Sequence, residues 1–268
     1  MKLVRLVAPL LFCAPLQFCS PLSAAVPAPA GVVLDDEDEF EDGRELVERL
    51  LDELQEQTRG RGENDGEAIR LVQQLQAEFQ RSGPRDRRDI VKALDRCMNL
   101  RRRPLEDDQP NNALFRQVAQ SFGTMGPESV PKLERWIGHK KHEDDLQLQR
   151  TLILALGNTR EEDAVDPLMD LLGEYQWVMQ GAAAEALGQF QFLESRERKE
   201  IFEELLKTLG GAEYELQDDP QSNAARQRLN TIRGPIHTSL RRLSGAQING
   251  YHRWQSWWND NKRRDWDR

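Results

Sequence analysis

Ser121-Phe122-Gly123, Ala155-Leu156-Gly157 and Ala186-Leu187-Gly188 are three versions of one phrase, their glycines 34 and then 31 residues apart. The match extends backwards through each segment. Leu114, Leu148 and Met179 share a column, as do Val118, Leu152 and Ala183. Ala119, Ile153 and Ala184 share the next, and Phe122, Leu156 and Leu187 stand last before glycine. Self-similarity at this period is the mark of stacked helical repeats, in which each unit buries its apolar face on its neighbour. The predicted fold class is therefore all-α, an α-α superhelix of stacked hairpins. Such repeats build surfaces rather than reaction centres.

Each repeat reads as a helix A, a turn and a helix B. In the second, helix A covers 146–156, and Gly157-Asn158 is expected to stop it in left-handed geometry, which glycine and asparagine adopt cheaply. Glu161, Glu162 and Asp163 then favour the positive end of a helix B whose buried face is Val165, Leu168, Leu171 and Leu172. Val130, Leu133, Trp136 and Ile137 match these in the first repeat, and Phe202, Leu205, Leu206 and Leu209 in the third. Gly181 to Ala184 and Ala186 make the third helix A small-sided, so its neighbours can approach closely. Residues 210–220 read as an irregular insertion opened by Gly210-Gly211, and 222–243 as a helical pair interrupted at Gly234-Pro235. Upstream, residues 44–100 predict three amphipathic helices. Leu46, Leu50, Leu51 and Leu54 mark the first, and Ile69, Val72, Leu75 and Phe79 the second, which Gly83-Pro84 closes. Residues 104–110 are a proline-bounded loop ahead of the repeats at 111–243, and residues 244–268 form a basic tail rich in tryptophan.

The start of the chain predicts export. Lys2 and Arg5 precede an apolar run over 6–18, and Ser23-Ala24-Ala25 offers the small residues a signal peptidase reads, so residues 1–25 read as a signal peptide cleaved near Ala25. The run is too short to cross a bilayer, which takes ~20 apolar residues. Bulky Phe18 argues against a lipid anchor on Cys19. Cleavage leaves Cys97 as the one cysteine, unable to form an intrachain disulfide and expected to be buried and inert. Formal charge is −9, or −11 without Lys2 and Arg5, and it is unevenly placed. Residues 26–43, rich in proline and alanine and then acidic, read as a disordered leader. Twelve acids crowd residues 35–56 against Arg44 and Arg49, while residues 221–268 hold ten bases against three acids. This dipole suggests that the acidic leader docks on the basic tail, in its own chain or the next.

Helix A ending in Ala-Leu-Gly, followed by a helix B of the form Val165-Asp166-Pro167-Leu168-Met169-Asp170-Leu171-Leu172, resembles the HEAT repeat, and more narrowly the HEAT-like repeats of phycobilisome bilin lyases. The resemblance is good over 111–209, weaker over 222–243 and suggestive over 67–100. The tail, with Leu240-Arg241-Arg242-Leu243-Ser244-Gly245 and Trp254-Gln255-Ser256-Trp257-Trp258-Asn259, is similar to that of exported bacterial HEAT-repeat proteins. The resemblance implies an α-solenoid that binds other macromolecules, with B helices lining its concave face.

Sequence motifs give no nucleophile elbow, phosphate-binding glycine loop, cysteine pair or His-Glu-x-x-His helix, so no enzyme activity and no cofactor are expected. His139 and His142 flank Lys140 and Lys141, which repel a cation, and read as a solvated turn. A calcium loop counted from Asp38 places Phe40 third and Arg49 twelfth, where ligands belong. Arg135, Asp170 and Lys207 occupy one helix B column and are candidate partner contacts. Their alternating sign does not make a phosphate-tracking stripe, so nucleic acid is not an expected partner. Trp254, Trp257 and Trp258 share one helix face and read either as a cap on the last repeat or as a platform for a sugar or aromatic ligand. The expected function is an exported scaffold for another envelope or secreted protein, with no membrane span in the mature chain. The alternatives are a lyase- or chaperone-like accessory role and a cell-envelope glycan binder.

Overall fold

Apolar residues at helical spacing become eleven α-helices in the computed structural model, which describes residues 42–105 and 109–267 and shows no β-strand among them. The signal peptide, its cleavage near Ala25, residues 26–41 of the leader and the docking of its acidic run on the tail lie outside the described residues; the last two leader residues, Asp42 and Gly43, are ordered by hydrogen bonds with Arg85 and Asp86. The helices are α1 (Glu45–Gln57), α2 (Asp65–Phe79), α3 (Pro84–Met98), α4 (Ala113–Phe122), α5 (Val130–Trp136) and α6 (Leu146–Asn158). They continue with α7 (Val165–Asp170), α8 (Trp177–Leu187), α9 (Ser195–Asp218), α10 (Asn223–Ser244) and α11 (Tyr251–Asn261).

These build an all-α solenoid of stacked hairpins. Helices α2, α4, α6, α8 and α10 lie side by side in chain order, each resting on the next. Each of α3, α5, α7 and α9 packs against the helix that follows it, and α11 packs on α9. Among the described residues these make five hairpins, with α1 laid over the outer face of the first. The aligned columns are its core: Leu114, Val118, Phe122, Leu148, Leu152, Leu156, Ala183 and Leu187 have no exposed surface. Short 3-10 turns at Gly126–Glu128 and Glu162–Ala164 lead into α5 and α7.

The recurring glycines act differently from the expectation. Gly123 and Gly188 have right-handed φ values of −62° and −67°, and Gly157 lies inside α6. None is a left-handed stop; after α6 that conformation falls on Arg160, at φ 57°. The glycines are instead sockets for the next repeat. A Cβ on Gly123 would stand 3.1 Å from Ala155 Cα, one on Gly157 2.7 Å from Ala186 Cβ, and one on Gly188 2.8 Å from Ser239 Cβ. Each glycine thus receives the small residue two places before the equivalent position of the following helix. Ser239 extends this column into α10, where its hydroxyl donates to Ala184 O at 2.5 Å. At the end of α10 a glycine does close the helix as expected, with Gly245 at φ 72°.

Two other breaks are also absent. Helix α9 runs through Gly210-Gly211 to Asp218, because Gly210 gives room to the Tyr251 ring, which a Cβ there would meet at 2.7 Å. Ala212 is buried behind it, while Arg228–Glu215 and Arg233–Glu213 ion pairs tie α9 to α10. Helix α10 is likewise continuous, with Pro235 inside it. Proline removes one N–H from the ladder. The carbonyl it strands, Thr231 O, faces α8 at Gly181, where a Cβ would lie 3.3 Å away. Ile232, Ile236, Leu240 and Leu243 bury the helix on both sides of the proline, and this packing outweighs the local penalty.

Candidate interaction site

The first hairpin carries a groove that the sequence reading did not identify. Helices α1 and α3 start together through reciprocal capping. Asp42 Oδ1 accepts from the N–H groups of Arg85 and Asp86 at 2.8 and 3.1 Å. Asp86 accepts from those of Gly43 and Arg44 at 2.9 and 3.1 Å. The carboxylates satisfy amides that a helix start leaves without partners. From this joint both helices run in the same sense, and a cavity of about 460 Å³ opens between their later turns. Leu54 and Cys97 lie buried at its floor, and half-buried Leu51, Ala93 and Leu100 form its walls.

Its rim is charged and ordered. Asp52 and Asp89 stand towards the capped end, Lys92 in the middle, and Arg59 and Arg96 at the far end. All five are exposed, and none has an ion pair or side-chain hydrogen bond among the described residues. Cys97 does not give the floor reactive character. Burial pushes its thiol up to about 12, so it stays protonated and un-nucleophilic. The signal that points to this groove is Leu51. It widens the apolar stripe of α1 beyond Val47, Leu50 and Leu54, which already face the core.

Two of the three helix B candidates are engaged within the chain. Arg135 on α5 is ion-paired with Asp95 of α3 and lies 4.9 Å over the Trp136 ring. Asp170 is exposed at the end of α7. Lys207 on α9 pairs with Glu204 at 3.2 Å. Arg135 and Lys207 thus have partners within the chain.

The tryptophans converge on Phe202 of α9. Its ring centroid is 5.6 Å from Trp254, 5.4 Å from Trp257, 5.1 Å from Trp258 and 5.3 Å from Trp266. Trp254 is fully buried and Trp258 nearly so, while Trp257 and Trp266 are half-buried. The Trp254 indole N–H donates to His237 Nδ1 at 2.8 Å, which requires that nitrogen to be unprotonated. Burial, then Arg241 and Arg233, lower the His237 pKa and favour that form. Beyond α11, Trp266 N–H donates to Ser195 Oγ, Asp267 pairs with Arg198, and Lys199 donates to Arg264 O.

The two histidines expected in a solvated turn are not alike. His142 is only 4% exposed, against Phe115 and Trp136 at 4.8 and 5.5 Å. Its Nε2 stands 3.0 Å from Met98 O. Burial lowers its pKa, opposed by that carbonyl and assisted by Lys141. Sequence could not show this, because its apolar neighbours come from two other helices. Among the described residues no group of histidine, cysteine and carboxylate side chains is placed to hold a metal ion. No described helix is long and apolar enough to cross a membrane.

Residues 102–188 and 139–209 match the family model for HEAT repeats. No curated protein and no solved structure matches the chain. The matched stretch covers α4 to α8 and the first part of α9, the hairpins whose glycine sockets repeat. Residues 102–209 are thus similar to HEAT repeats, and the helices on either side extend the same stack.

Proposed function

We propose that this chain is an exported, non-enzymatic scaffold that binds another envelope or secreted protein. The observation that carries the reading is the HEAT-repeat stack itself. Its aligned apolar columns are spent on neighbouring hairpins, which leaves helix faces and inter-helix grooves for recognition. The Trp-rich tail closes the C-terminal end of the stack by packing on α9. A fully buried tryptophan such as Trp254 removes ~150–250 Å² from water, worth about 5 kcal/mol at ~25 cal/mol per Å², and half-buried Trp257 and Trp266 contribute less. The export that residues 1–25 lead one to expect would place the partner in the envelope or outside the cell.

The test uses the tagged mature chain as bait in an envelope extract, with and without glycan digestion. A protein retained after digestion supports the scaffold. Loss on digestion favours the glycan reading, for which the half-buried Trp257 and Trp266 are the available rings. Retention of nothing counts against both. The lyase- or chaperone-like alternative rests on resemblance to the bilin-lyase repeats alone.

A further inference from the structure

We propose that the groove between α1 and α3 receives one amphipathic helix of a partner protein, with basic and acidic side chains about two turns apart on either side of an apolar edge. The inference rests on the scaffold reading above and specifies its binding site. Every inner hairpin has a two-helix hairpin against its face, whereas the first is covered, among the described residues, by α1 alone. Beside α3 the cover is incomplete, and that is where Leu51, Ala93 and Leu100 stay half-buried around the cavity.

Charge selects the occupant. Asp89 and Arg96 lie seven residues apart within α3, about two helical turns or ~10 Å, and Asp52 and Arg59 are also seven apart, with Arg59 just past the end of α1. Both sides of the groove therefore pass from negative to positive over the same length and in the same direction. The rim charges have no ion-pair or side-chain hydrogen-bond partner in the described chain and so are free to meet a ligand. A docked helix with a lysine or arginine over Asp52 and Asp89, and a glutamate or aspartate over Arg59 and Arg96, neutralises all four. Two or three leucine-sized side chains between them fit a cavity of about 460 Å³. This is the helix-in-groove mode, with apolar anchors giving affinity and end charges giving register. Matching ends also discriminate against a helix charged alike throughout, which would meet like charge at one end.

The probe is a short labelled helical peptide with leucines on one edge, lysines at one end and glutamates at the other. Its binding to the mature chain is followed by fluorescence anisotropy. Saturable binding is expected, weakened at least ~10-fold in Arg59→Glu/Arg96→Glu and restored there by a peptide with lysines at both ends. Ala93→Trp fills the groove at a half-exposed position and should abolish binding while leaving the thermal melt intact. Absence of saturable binding, or equal binding by all three proteins, overturns the proposal. So does a wild-type dimer in sedimentation that Ala93→Trp dissociates, since the occupant is then a second copy. The envelope extract separates this from the broader reading. If wild type and Ala93→Trp retain the same protein, the scaffold stands and the groove is not its site. If wild type retains none, the scaffold itself fails.

Discussion

The two ends of the stack are finished in opposite ways. At the C-terminal end, α11 lies on α9 and four tryptophans close around Phe202, with Trp254 held by His237. At the N-terminal end, α1 covers the first hairpin with a thinner apolar face and leaves a groove, beside a buried ion pair. There Arg102 Nε stands 3.0 Å from Asp65 Oδ1, in side chains only 4% and 10% exposed. The angles fall short of a hydrogen bond, so both Asp65 oxygens and Arg102 Nε and Nη2 have no hydrogen-bond partner. Dry aromatic packing stabilises one end strongly. The other contains charges whose desolvation offsets much of their attraction. A repeat stack needs both ends covered, and the end with less apolar cover keeps the groove.

The sharpest way to break this contrast is Trp254→Ala. It should cost ~3–5 kcal/mol and lower the melting temperature by roughly 10 °C, as read by circular dichroism. A shift no larger than that of half-buried Trp257→Ala would remove the case for Trp254 as the centre of the cover. At the other end, Asp65→Asn strands the Arg102 charge and should cost ~3 kcal/mol. Replacing both by apolar residues (Asp65→Leu/Arg102→Met) should come out nearly neutral in a urea titration. If the double variant is as weak as the single one, the pair contributes more than its burial suggests.

The middle of the stack supplies the reference. Gly157→Ala puts a methyl 2.7 Å from Ala186 Cβ, and the resulting overpacking should cost ~1–3 kcal/mol. An unchanged melt would mean that α6 and α8 can part freely.

Smaller effects come from acid. The pKa values of His142 and His237 are lowered by burial, so the unfolded chain binds more protons as pH falls below the usual histidine value of ~6.5. Stability is fully present above that pH and is lost as pH drops through the folded values. The melting temperature should decline by a few degrees between neutral and mildly acidic buffer, and His237→Gln should remove part of that decline. A flat profile down to acid unfolding would contradict it. The smallest effect is chemical: with its thiol pKa raised to about 12, Cys97 should resist iodoacetamide in the native state and react only once urea unfolds the chain. Rapid native alkylation would show that α1 opens away from the groove floor.

Local pattern carried much of this fold. Columns such as Leu114–Leu148–Met179 require a partner surface at every repeat, and the structure buries all three. It misled where one residue type serves two ends. Glycine is a stop by local propensity, yet Gly157 and Gly210 are places where another element comes close. Proline is a breaker by the same logic, yet Pro235 is carried inside α10 by the packing around it. The histidine beside two lysines read as wet, and Phe115 and Trp136 make His142 dry.

The sequence by itself determined that the chain is helical, that its helices pair and repeat, and which side of each faces inward, since period and polarity are written along one strand of residues. Tertiary structure alone decided which glycines are sockets, how each end of the stack is covered, and that Asp52, Asp89, Arg59 and Arg96 border one groove. Those properties depend on distances between helices, and residues far apart in the chain carry no local mark of who their neighbours will be.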